Sequence, residues 1–135
     1  MGDLAIAVDV DGRQGAVLTD RDLRLAAVVR RLVGTWAQHA QLPADMGDVV
    51  RFVASDLVTM VLWQGSRPKI AVRLAEEDWL VVLMVGDGEL SDVIAHSTPE
   101  LPNGTLTVAG SAGGRLRALA GGGYALAVPL PVVSR

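Results

Sequence analysis

Asp48 to Glu89 reads DVVRFVASDLVTMVLWQGSRPKIAVRLAEEDWLVVLMVGDGE, and this stretch decides the fold. Its first part is apolar over a helical length. Gly65-Ser66-Arg67-Pro68 interrupts it, and Ile70, Val72 and Leu74 then alternate with Ala71 and Arg73 in the period of a half-buried strand. Glu76-Glu77-Asp78 turns the chain. Trp79 to Val85 is apolar throughout, as in a central strand covered by helices on one side and closed in on the other. The segment is a helix followed by a hairpin, with Gly86-Asp87-Gly88 at the strand exit.

The helix carries two stripes. Val50, Ala54, Leu57 and Val61 recur at core spacing, while Phe52, Asp56, Met60 and Trp63 recur at four, four and three and project from a different face. Taken without a ligand, Asp56 is an ordinary polar residue at a helix surface.

Upstream, Leu4, Ile6, Val8 and Val10 alternate with small and polar residues, and Asp11-Gly12 turns toward Gly15-Ala16-Val17-Leu18. This predicts an N-terminal hairpin over residues 1–18. Asp9 and Asp11 lack the further carboxylates of a calcium loop and read as turn residues. Thr19 or Asp20 caps a helix running to about Gln41, with Leu25, Val29, Leu32 and Trp36 as its apolar stripe. Arg21, Arg24, Arg30 and Arg31 lie mostly off that stripe, as a solvated face or a partner-binding one. His39 falls near the helix end, where a cation suits the dipole. Leu42-Pro43 stops the helix, and the next begins near Pro43-Ala44-Asp45 or Asp48.

Downstream, Leu90 to Asn103 holds two prolines and no clear period, which predicts a loop. His96 within it has no second His or Cys nearby and reads as a solvent-exposed side chain. Asn103 to Val108 opens a short helix, since Gly110, Gly113 and Gly114 follow quickly. Leu116 to Ala120, Gly121-Gly122-Gly123 and Tyr124 to Leu130 form a further hairpin, with Tyr124, Leu126, Val128 and Leu130 on one face. Pro129 and Pro131 suggest a last strand at the sheet edge or already leaving it.

The 135 residues, half of them apolar, suffice for one domain with one core, taken as 1–135. A net charge of −3 without a Lys/Arg cluster argues against a nucleic-acid surface. The absence of cysteine excludes disulfides and thiolate metal sites and fits a reducing compartment. No apolar run approaches the roughly 20 residues of a membrane span, and Met1-Gly2-Asp3-Leu4 does not open a secretory signal, so no membrane association and a cytoplasmic location are expected. No G-x-x-x-x-G-K-[ST], G-x-G-x-x-G or H-E-x-x-H motif occurs.

Ser55-Asp56-Leu57-Val58-Thr59-Met60-Val61 followed by Val85-Gly86-Asp87-Gly88 resembles two adjacent boxes of the histidine-kinase-like (GHKL) ATPase fold. From about Leu23 to Leu130, the order helix, helix, hairpin, lid, short helix, hairpin is similar to that of the short anti-sigma-factor serine kinases of bacteria. The resemblance implies an α+β two-layer sandwich, a mostly antiparallel sheet with helices packed on one face, to which this chain adds its N-terminal hairpin. Residues 90–103 would take the place of the ATP lid.

It also implies roles. The family's base and magnesium ligand, four residues apart on the helix, correspond here to Asp56 and Met60. Asp87 and Gly88 match the adenine-binding end, and Gly104 matches a glycine box whose helix faces phosphates. A plain Asp-Gly turn explains Asp87 and Gly88 equally well without a ligand. A thioether cannot replace an oxygen donor at a hard cation, and Asp56 shortens the base by one methylene. Magnesium is therefore not expected and no cofactor is expected to be resident, with ATP the one that Asp87, Gly88 and Gly104 leave open. The resulting expectation is a regulatory protein-binding module with its nucleotide chemistry lost. Its partners would be of the sigma-factor or anti-sigma-antagonist class, and it would form homodimers as family members often do. One alternative is an active serine kinase with Asp56 as its catalytic base; another is a small dimeric scaffold that never meets nucleotide.

Overall fold

The computed structural model describes residues 4–9, 20–64, 69–77, 80–86, 103–118 and 123–130. The elements follow as β1 (Leu4–Asp9), α1 (Asp20–His39), α2 (Ala44–Gln64), β2 (Lys69–Glu77), β3 (Leu80–Val85), α3 (Asn103–Ser111), β4 (Arg115–Ala118) and β5 (Tyr124–Pro129). Among the described residues, five strands form one antiparallel sheet in the order β1-β2-β3-β5-β4. The protein is α+β, in two layers.

Strand alternation sorts the side chains. Leu4 pairs with Leu74, Leu74 with Leu83, Leu83 with Leu126 and Leu126 with Leu116, so one row of leucines crosses the whole sheet. Val72, Val85 and Tyr124 form a second row beside it. Both rows belong to the core cluster that the helices complete with Val29, Val33, Val50, Val53, Leu57 and Val61. The alternate residues, among them Ala75, Val82, Met84, Ala125 and Ala127, have the opposite parity and so lie on the other face of the sheet.

Helix α2 is the middle of the helical layer, packed between α1 and α3 and over β3. This explains why its sequence is apolar over so much of its circumference: Val49, Val50, Val58 and Leu62 are all buried, although at about 100° per residue they project over more than half a turn. The expected stripe Val50, Ala54, Leu57 and Val61 is buried. On α1 the stripe is rotated from the expected one. Ala26, Val29, Val33, Trp36 and Ala37 are buried, while Leu32 is 39% exposed.

The turn between α1 and α2 is tightly specified. Leu42 N–H donates to Ala37 O at 3.0 Å and Gln41 N–H to Gln38 O at 3.1 Å, with Gln41 at φ 58°. This is the two-bond helix stop that usually has glycine at the left-handed position. Pro43 O then accepts from Gly47 N–H at 2.9 Å and starts α2 without needing a donor of its own. Helix α3 ends in the same way on Gly113, φ 73°, with Gly114 N–H donating to Ala109 O at 2.9 Å.

One sheet expectation is corrected. β5 is a central strand between β3 and β4, not an edge strand. Pro129 is tolerated because it is the last residue of its ladder, opposite Leu80, where a missing N–H breaks nothing further along. Among the described residues β1 is the outermost strand and pairs with β2, far along the chain. The expected second strand of the N-terminal hairpin, Gly15 to Leu18, lies outside the described residues, as does the lid-like loop except for Asn103, which opens α3. Among the described residues no helix is long and apolar enough to cross a membrane.

Candidate functional site

Of the residues singled out by the resemblance, Asp56 and Met60 lie on α2 and Gly104 on α3, two helices in contact. Asp56 lies in the middle of α2, half-buried. Its Oδ2 accepts a hydrogen bond of 2.7 Å from the hydroxyl of Thr105. Thr105 is in the first turn of α3 and only 1% exposed. The first turn of α3 is thereby held directly on α2.

One turn further along α2, Met60 is half-buried and packs against the core cluster. Phe52, one turn earlier, is 41% exposed and lines a surface cleft with Arg30 and Val108. The three residues thus share a helix side but have three different surroundings. Trp63 belongs to α2, and its side chain lies outside the described residues.

Gly104 is exposed, with open space where a Cβ would stand. Asp87 and Gly88 lie outside the described residues. The residue before them, Gly86, is buried at φ 125° at the exit of β3. Across from it Gly123 adopts φ 97°, and a Cβ there would meet the Val85 carbonyl oxygen and come within 2.7 Å of Gly86 Cα. Two glycines face each other here because the backbones leave no room for a side chain.

A second polar connection lies between α1 and α2. The Arg30 guanidinium donates to Ser55 Oγ from Nη2 at 3.2 Å and from Nε at 3.4 Å. Ser55 is buried and donates in turn to Phe52 O at 2.9 Å. Sequence reasoning missed both Thr105 and this Arg30–Ser55 pair. A threonine in a helix opening and a serine inside an apolar helix were the available signals, and neither names its partner. Among the described residues, no three of His, Cys, Asp and Glu come together as a set that could hold a metal ion.

Compared with known proteins, the chain matches no protein-family model, and no curated protein matches it.

Proposed function

We propose that this chain is a regulatory protein-binding module of the histidine-kinase-like ATPase type, resembling an anti-sigma factor, that works without magnesium-dependent nucleotide chemistry. The order of elements and the helix-covered antiparallel sheet support the fold part of this reading. The observation that carries the rest is the Thr105–Asp56 hydrogen bond of 2.7 Å. A triphosphate running between α2 and the start of α3 would have to separate two groups that are in direct contact. It would also meet, at Met60, a thioether packed on the core instead of an oxygen ligand. Asp56 is then a structural acceptor rather than a base. The partner is a cytoplasmic protein of the sigma-factor or antagonist class, and the module itself forms homodimers.

The test is complex formation with such a partner by protein stripped of nucleotide. Affinity should be the same, within a factor of two, with and without MgATP, and Asp56→Asn should leave it unchanged. A complex that requires MgATP, or transfer of phosphate to the antagonist that stops in Asp56→Asn, would establish an active kinase instead.

A further inference from the structure

On the outer side of the helical layer, α1 and α2 run antiparallel, with Arg30 beside Ser55, Gly34 beside Arg51 and Ala37 beside Gly47. Small residues at this crossing leave a groove of about 440 Å³, bordered by Arg30, Arg31 and Arg51 and floored by Gly34, Ala37 and Leu42. A second hollow of about 370 Å³ continues it across α2 to Val49, Phe52 and Val108. Arg30, Asp48 and Arg51 line both, so the two form one furrow spanning all three helices.

Its charge is opposite to that of the protein. The chain carries a net −3, yet this furrow gathers three arginines against one aspartate. Asp48 pairs with Arg51 at 2.8 Å. Arg30 is oriented by a neutral partner, the Ser55 hydroxyl, and has no ion pair among the described residues. Arg31 is exposed and makes no ion pair among the described residues. A guanidinium offers a planar pair of donors that suits a carboxylate, and a positioned one loses less freedom on binding. The far end of the furrow is apolar, with the exposed Phe52 ring beside Val49 and Val108.

We infer that this furrow is the docking site for an acidic, amphipathic segment of a partner protein. Carboxylates of the segment pair with Arg30, Arg31 and Arg51, and an apolar side chain packs on Phe52 and Val108. A regularly spaced polyanion fits less well, because Asp48 sits among the arginines and a phosphate backbone has no use for the apolar end. The inference rests on the reading of the chain as a protein-binding module and names the chemistry of what it binds. It uses a surface separate from the Asp56–Thr105 contact.

The experiment is fluorescence anisotropy of the intact protein with a labelled peptide of Glu-Glu-Leu repeats. A Lys-Lys-Leu peptide and a labelled oligothymidylate serve as comparisons. The acidic peptide should bind saturably at low salt and weaken as salt is raised, since exposed charges are screened over a Debye length of about 8 Å at physiological ionic strength. Arg31→Glu together with Arg51→Glu should weaken binding at least tenfold while the circular dichroism spectrum is kept. Phe52→Ala should weaken it several-fold, and Asp56→Asn should not change it. No binding of the acidic peptide, equal binding of the lysine peptide, tighter binding of the oligothymidylate, or unchanged affinity in the folded charge-reversed protein would each overturn the inference. Micromolar MgATP binding with peptide binding intact would instead sink the proposed function and leave the furrow standing.

Discussion

Replacing Thr105 by valine removes one hydroxyl while keeping the shape of the side chain, and so isolates the bond that joins α3 to α2. The donor is almost fully buried and the acceptor is a carboxylate. Hydrogen bonds to charged groups contribute about 1.5–3 kcal/mol, and Asp56, being half-exposed, recovers part of this from water, which places the loss at about 1.5 kcal/mol. With an unfolding entropy of about 2.1 cal/mol/K per residue, the 135-residue chain should then lose about 5 °C in Tm. Thermal and urea unfolding followed by circular dichroism measure this directly. Asp56→Ala should cost a similar amount, and the double variant should fall short of the sum by about 1 kcal/mol, the signature of a direct pair. Amide exchange in residues 103–111 should quicken in both variants. Strict additivity, or a Thr105→Val protein with unaltered Tm, would refute the structural role given to Asp56.

Leu83→Ala, at the centre of the leucine row and fully buried, should destabilise the protein by about 3–4 kcal/mol, read as an earlier urea midpoint with unchanged slope. Gln41→Gly should stabilise it by about 0.5–1 kcal/mol, because Gln41 holds a left-handed conformation that glycine adopts without steric cost. A lower Tm in that variant would show that the Gln41 side chain contributes more than its backbone strain costs.

The helix-then-hairpin segment was legible because each period in it is long and unmixed. The alternation of Ile70, Val72 and Leu74 and the stripe Val50, Ala54, Leu57 and Val61 carry the geometry of their elements on their own. On α1 the choice between Leu32 and Val33 was not legible. Adjacent apolar residues lie about 100° apart on a helix, and which one turns inward is settled by neighbours that place Ala26 and Ala37 against the rest of the core. Pro129 at the end of β5 and Pro131 beyond it pointed to an edge, since the pattern of Tyr124 to Leu130 does not say that β4 adds outside it. Partners distant in sequence were the systematic blind spot. The pairing of β1 with β2, far along the chain, had no sequence signal. Thr105 reads as a helix opener until Asp56, 49 residues away, is placed beneath its hydroxyl. Arg30 and Arg31 are exposed, as a solvated or partner-binding face requires, but that Arg51 of another helix lines the same groove is not legible in the sequence.

Calorimetric titration of the intact, nucleotide-stripped protein with MgATP tests the central claim most directly. With Asp56 tied to Thr105 and Met60 packed on the core, no saturable heat should develop up to millimolar nucleotide, and Asp87→Ala should behave as the unaltered protein does. Micromolar binding that requires magnesium and disappears in Asp56→Asn or Asp87→Ala would contradict it.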